Sequence, residues 1–272
     1  MDKTQIIPPS TGKGSRLPDA AARPNPLLSP CGPCKIRHLA ICSALSHDEL
    51  QYLAAIVSTV TLDADQPLFD EGQPAQHVYI VTSGAMRLYK LLPDGRRQVT
   101  GFLFVSDFLG LANGENYAYG AEAVADAELC RFRRGELDAL VDRFPRMEKQ
   151  LFGLASNELA VAQEQMLVLG RKSARERIAS FLLMLQERAS RRQPKSDLVA
   201  VPMNRADVGD YLGLSTETVS RTFTELKLAN VIALDKPTKV RILNQQLIQD
   251  IAAGIRAPAP GASGQYAPIT RH

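Results

Sequence analysis

The sequence predicts an α+β protein built in three successive parts: an antiparallel β-roll, a long helix and a C-terminal winged helix-turn-helix. Three observations carry that prediction. Between Val60 and Phe132, short β-rich runs alternate with glycine-containing turns. Between Met147 and Leu169, apolar residues recur at helical spacing. Between residues 202 and 229, two short helical patterns flank a tight turn at Gly213. The divisions expected are a disordered leader (1–30), a cysteine-bearing segment with the roll (31–143), the long helix (144–171), the winged unit (172–256) and a disordered tail (257–272).

The leader carries Pro8, Pro9, Pro18, Pro24, Pro26 and Pro30 among scattered Gly and Ser. Such a segment buries too little apolar surface to offset its ordering entropy. It is polar and then proline-rich, without the apolar stretch of a secretory signal, and the expectation is a cytoplasmic chain. In the roll, Val78–Val81, Met86–Tyr89 and Val99–Phe102 read as strands, punctuated by Gly72, Ser83-Gly84, Pro93-Asp94-Gly95 and Gly110. Leu88 to Gln98 reads as a hairpin with a charged tip.

In the long helix, Met147, Leu151, Leu154, Leu159, Ala162, Met166 and Leu169 follow one another at intervals of 4, 3, 5, 3, 4 and 3. They share one helical stripe. Such a stripe suits a dimer seam as well as it suits packing on the chain's own roll. Ser173 with Glu176 forms a capping-box signature that starts the next helix. Asn204 with Asp207 caps the first helix of the reading motif, and Val208, Tyr211 and Leu212 face inward. Gly213 supplies a left-handed turn. Ser215 caps the second helix, whose inward residues are Val219, Phe223 and Leu226. Thr216, Glu217, Ser220, Arg221 and Thr224 are left on the open face, with Thr218 beside them. Arginine can pair with guanine, glutamate can accept from cytosine, and small hydroxyls can reach thymine or phosphate.

The net charge is only +3, so affinity for nucleic acid must come from local clustering. One cluster stands out: Arg171, Lys172, Arg175, Arg177, Arg188, Arg191, Arg192 and Lys195, against Glu176 and Glu187. No P-loop, Gly-x-Ser-x-Gly or metalloprotease pattern is present, and no nucleophile–base set points to an enzyme. No apolar run reaches the length of a membrane span.

The chain has four cysteines: Cys31, Cys34 and Cys42 close together, and Cys130 far downstream. In a reducing compartment such a set reads as metal ligands or redox thiols. By ligand type alone, an iron–sulfur cluster and a structural zinc weigh equally. His38 or His47 could replace one thiolate at zinc; otherwise both belong to solvent or local hydrogen bonds. A Cys31–Cys34 redox pair would leave Cys130 as a small core residue.

From about residue 45 to 250 the chain resembles the cyclic-AMP receptor/FNR superfamily of bacterial transcription regulators. The likeness is most specific in Phe69-Asp70-Glu71-Gly72, in Ser83-Gly84, and in Asn204 to Leu214 running into Glu217-Thr218-Val219-Ser220-Arg221. That last stretch is similar to the FNR branch. The resemblance implies a homodimer reading a two-fold double-stranded DNA site of the TTGAT–N4–ATCAA kind through Glu217, Ser220 and Arg221. It also implies a 4Fe-4S cluster on Cys31, Cys34, Cys42 and Cys130, with oxygen as the signal; the alternative on the same scaffold is a structural zinc, a haem or other small-ligand sensor, or a thiol redox sensor. The seven-residue gap before Cys42 looks like the nitrogen-fixation and photosynthesis-associated regulators of that branch. Relatives from enteric bacteria carry an acidic residue where Ala162 stands, which implies looser cluster control of dimerisation here. Cyclic nucleotide is not expected: Leu111 follows Gly110 where that branch needs Glu, and no arginine lies between Arg97 and Arg131 to meet a phosphate. Asp94, Arg96 and Arg97, at the hairpin tip, match a loop that contacts RNA polymerase.

Overall fold

The computed structural model describes residues 31–110, 114–191, 197–236 and 238–255. The leader and tail expected to be disordered lie outside those residues, as do Leu111, Arg192 and Lys195. Six strands form one sheet: β1 (Val57–Leu62), β2 (Pro67–Phe69), β3 (His77–Leu91), β4 (Arg97–Phe104), β5 (Phe108–Leu109) and β6 (Gly120–Arg133). Their order is β1-β6-β3-β4, with β2 also on β6 and β5 on β3. β1 and β6 run antiparallel, Val57 opposite Phe132 and Thr59 opposite Cys130.

Ser83-Gly84 is not the turn the sequence suggested. β3 runs through it unbroken. Gly84 takes φ +80°, and a Cβ there would sit 2.2 Å from the Asp126 carbonyl oxygen of β6. The glycine exists for a close backbone approach inside the sheet, which sequence cannot distinguish from a turn signal.

The chain divides into two compact units. The first takes everything up to Gly84 together with Leu103–Ala155, and so includes α1 (Leu50–Ile56) and α2 (Arg134–Arg143). Its core gathers Ile41, Leu50, Leu53, Ile80, Phe132, Leu140 and Met147. Each such side chain contributes about 1.5–3 kcal/mol on leaving water. Elsewhere in this unit Phe69 stacks on Tyr117 at 3.7 Å, and the Tyr117 hydroxyl donates to the His77 carbonyl at 2.7 Å.

The second unit takes Ala85–Phe102 and everything from Ser156 onward. The outer half of the β3–β4 hairpin therefore groups with the C-terminal elements, where sequence assigned all of 31–143 to one domain. Those elements are α4 (Ala174–Ser190), β7 (Leu198–Ala200), α5 (Arg205–Leu212), α6 (Thr216–Leu228), β8 (Ile232–Lys236), β9 (Lys239–Ile242) and α7 (Gln245–Ala252). Strands β7-β9-β8 make a small antiparallel sheet, the wing. Ile178, Leu182, Val208, Leu212, Val219, Phe223, Leu226 and Ile248 are buried behind it. Both units share the helix α3 (Pro145–Arg171). No helix among the described residues is long and apolar enough to cross a membrane.

Candidate DNA-reading surface and cysteine cavity

Both helices of the reading motif start where the capping residues place them. The Asn204 side chain accepts from the Asp207 amide at 2.8 Å, and the Asp207 carboxylate accepts from the Asn204 amide in return. Gly213 ends α5 in the left-handed conformation. Gly209 is a second requirement that sequence reading missed: a Cβ there would lie 2.6 Å from the Leu214 carbonyl oxygen, so only glycine lets the turn fold back on α5. The Ser215 side chain then caps α6 through the Thr218 amide at 3.2 Å.

Val219, Thr222, Phe223 and Leu226 of α6 face inward. Thr216, Glu217, Ser220, Arg221 and Thr224 are exposed, as the spacing predicted. Thr218 is half-buried and its hydroxyl bonds Ser215 at 3.0 Å, so it holds the helix start instead of facing a groove. Its own backbone amide, and then the Ser215 hydroxyl, hold the Glu217 carboxyl below its ordinary range. Arg221 lies 4.0 Å from Glu225 on the same open face. The Arg205 guanidinium sits 3.5 Å over the Phe223 ring, a cation–π contact that ties the two helices together.

Part of the basic segment is committed to structure. Arg177 donates to the carbonyls of Leu169, Lys172 and Leu212 at 2.8, 2.8 and 2.7 Å. Arg188 donates to the Phe102 carbonyl at 3.0 Å and pairs with Glu158 at 3.5 Å. Lys172 bonds Ser180 at 3.0 Å. Only Arg171, Arg175 and Arg191 stand exposed among the described members of that cluster. Of the six described members, three are tied into the fold and three remain exposed.

The hairpin tip is split in the same way. Asp94 and Arg96 are exposed and paired to each other at 2.7 Å. Arg97, expected beside them, instead reaches Asp207 at 2.9 Å and Asp210 at 3.4 Å on α5. Its role as a contact at the tip is corrected on that geometry.

The α3 stripe also divides. Met147 is fully buried in the first unit's own core, with Leu151 and Leu154 packed against it. Met147 thus belongs to the core of its own unit, while Leu151 and Leu154 stay half-buried at its edge. The exposed apolar residues are Phe152, Leu159, Met166 and Leu167, at 74, 60, 69 and 57%. With the exposed Ala155 and Ala162, and Leu169, they include a run at 152, 155, 159, 162, 166 and 169, which alternates steps of three and four. That is the spacing of a coiled-coil seam. The sequence stripe had mixed two adjacent faces, because its step of five crossed from one to the other.

All four cysteines line one cavity, with Ile36, Arg37, Ala40, Leu50, Ile80 and Phe132. Cys31 and Cys34 come from the turns before α1, Cys42 from a short 3-10 helix (Ile41–Ala44), and Cys130 from β6 opposite Thr59. All four are free thiols. Burial, and then the neighbouring thiols, push the Cys42 thiol up to about 12. Cys130 is likewise pushed up to about 12, first by burial and then by Cys31 and Cys34. Four thiols lining one cavity are a soft donor set, and binding a cation there would release their protons. The cavity has a free volume of about 20 Å³, room for one water. Among the described residues no group of three or more His, Cys, Asp or Glu is arranged to hold a single metal ion. A centre larger than that space requires the Cys31–Cys42 segment to shift. His38 and His47 are exposed.

Residues 59–144 match the family described as the cyclic nucleotide-binding domain, and residues 176–251 match the Crp-like helix-turn-helix domain. The transcriptional activatory protein AadR of Rhodopseudomonas palustris is 41% identical over 81% of this chain and 92% of its own length. The transcriptional activator protein FnrL of Cereibacter sphaeroides is 37% identical over 77% of this chain and 86% of its own. The solved structure of FixK2 from Bradyrhizobium japonicum superposes with a TM-score of 0.67 at 34% identity, covering 75% of this chain and 100% of that one.

Proposed function

This chain belongs to the Crp/FNR family of DNA-binding transcription activators, and from that premise we propose that it is an oxygen-responsive member whose signal is a 4Fe-4S cluster. The observation that carries the reading is the convergence of all four cysteines on one cavity. Cys31, Cys34, Cys42 and Cys130 would hold the cluster, and the donor set fits: four thiols, one for each iron. A single zinc needs its sulfurs about 3.8 Å apart around one ion, from Zn–S distances near 2.3 Å. Ligand type alone does not separate the two, and the likeness to the FNR branch is what favours the cluster.

When bound, such a centre supplies an air-sensitive bond between the leading turns and β6. The residues around it do the rest. Ile36, Ala40, Ile80 and Phe132 exclude water from the thiols, and among the described residues Arg37 is the cationic side chain lining the cavity. Cys130 anchors one side to β6, the centre of the sheet; the short segment carrying the other three can move without unfolding it.

On α3, Phe152, Ala155, Leu159, Ala162, Met166 and Leu169 would pair two chains. Pairing places two α6 helices about one DNA turn apart on a palindromic site. There Glu217, Ser220 and Arg221 would meet base edges, and Thr216 the backbone. A cluster that contacts the pairing-competent state better than the other shifts the population towards it. Once on DNA, Asp94 and Arg96 at the hairpin tip would meet RNA polymerase.

The test is air-free purification followed by iron and sulfide analysis and a visible spectrum. The expected result is about four irons and four sulfides per chain, with broad absorption that bleaches in air, and weaker operator binding after bleaching. Colourless, iron-free protein that binds its operator equally with and without air would end the proposal.

A further inference from the structure

The second unit holds a cluster of four charged side chains that the reading surface does not use. Arg87 of β3 and Asp207 of α5 are 120 positions apart, yet both carboxylate oxygens accept from one Arg87 nitrogen at 3.1 Å. Their side chains are only 6% and 1% exposed. Arg97 of β4 adds a bond to Asp207 at 2.9 Å and reaches Asp210 at 3.4 Å. Gln98 of β4 donates to the Asp210 carbonyl oxygen, and Phe102 lies 5.2 Å from Tyr211. The hairpin thus lies along the face of α5 carrying Asp207, Asp210 and Tyr211. The other face, carrying Val208 and Leu212, belongs to the buried residues shared with α6.

From this we infer that Arg87 and Arg97 are positioning residues for DNA recognition. The hairpin is the third element of the reading head, and its arginines set the orientation of α5 and, through it, of α6. Two arginines against two aspartates balance in charge, and such a set adds little net stability over apolar groups of similar size. What it adds is direction: charge-assisted bonds to a fixed guanidinium fork hold in few orientations, whereas an apolar contact tolerates sliding. Apolar burial behind α6 already accounts for cohesion of the helix pair. Asp207 also closes the capping box of α5, so the arginines grip the one carboxylate that defines where that helix starts.

The test uses the full chain with Arg87→Met and Asp207→Asn together. This removes one charge of each sign and keeps an acceptor for the Asn204 amide. Affinity is measured for a duplex that the wild-type protein selects from a random library, and for a scrambled duplex of equal length. The expected result is a melting temperature within a few degrees of wild type, about tenfold weaker binding to the selected duplex, and unchanged binding to the scrambled one. Tenfold is the loss expected when one base contact is displaced. Amide exchange should quicken in residues 85–102 and 205–212. A second variant guards against failure to fold: Arg97→Gln leaves the Arg87–Asp207 pair in place and should lose about threefold in the ratio of selected to scrambled affinity, with Arg97→Lys recovering most of it. Wild-type ratios in folded Arg87→Met/Asp207→Asn or in Arg97→Gln would overturn the inference, as would a loss that falls equally on both duplexes.

Discussion

Replacing Leu159 by aspartate tests which face of α3 meets a second chain. Phe152, Leu159 and Met166 are 74, 60 and 69% exposed in the single chain. Full burial of such side chains is worth about 1.5–3 kcal/mol each, so roughly two-thirds of that, about 1–2 kcal/mol apiece, is left to gain. Three from each chain supply about 6–12 kcal/mol, against an association cost of about 4–15 kcal/mol. The seam alone therefore makes a marginal dimer, which is the regime a modest signal can tip. Leu159→Asp withdraws two of those six contributions, about 2–4 kcal/mol, and sets two carboxylates face to face. The dimer dissociation constant should rise at least about 30-fold, read by sedimentation velocity across a concentration series. Monomer stability should hold, because Leu159 is already in water. Met147→Ala should do the opposite: Met147 is fully buried, so the fold loses about 2–5 kcal/mol while the dimer constant moves little. A dimer untouched by Leu159→Asp, or weakened by Met147→Ala at unchanged stability, would refute the division of the helix into two faces.

Gly84→Ala forces a Cβ to within 2.2 Å of the Asp126 carbonyl at φ +80°, and should destabilise the roll by about 3 kcal/mol or more; a denaturation midpoint within experimental error of wild type would contradict the β3–β6 approach. Arg221→Ala should cost about 1–3 kcal/mol on the selected duplex and relax preference at one position per half-site, whereas a uniform loss on every sequence would make Arg221 a phosphate contact. Cys42 and Cys130, pushed from 9.0 up to about 12, keep their protons in the folded metal-free chain after the unfolded chain has released them. More protons bound in the folded state means that stability is intact below pH 9 and falls as pH rises from 9 to 12. Replacing both with serine should flatten that decline in urea titrations; an unchanged slope would mean the thiols are not held protonated.

Much of the reading head was legible because its signals are local. Asn204, Asp207, Gly213 and Ser215 act on backbone within four residues of themselves, and the inward positions of α6 follow from a period of 3.6. Thr218 was misplaced because capping by Ser215 turns its hydroxyl back on the helix start. The basic segment misled for a related reason: a count of arginines does not say which will find carbonyls, as Arg177 and Arg188 do. Gly84 and Gly209 look like any other glycine in the sequence; both are explained by a carbonyl oxygen brought close by chain that folds back on them.

The sequence by itself determined the order of elements, both helix caps of the reading motif, the face that α6 presents, and the presence of four thiols in two groups. Each of these depends on residues a few positions apart, or on residue identity alone. Only the tertiary structure decided that the two thiol groups share one cavity, that Met147 belongs to a core and Phe152 to an open face, and that Arg97 leaves the hairpin tip for Asp207. Those outcomes depend on strand order and on which buried charge finds a partner of opposite sign. Neither is encoded in any window of neighbouring residues: the first is settled when β6 meets the leading segment inside one unit, the second when the β3–β4 hairpin meets α5 inside the other and buried charge must be neutralised.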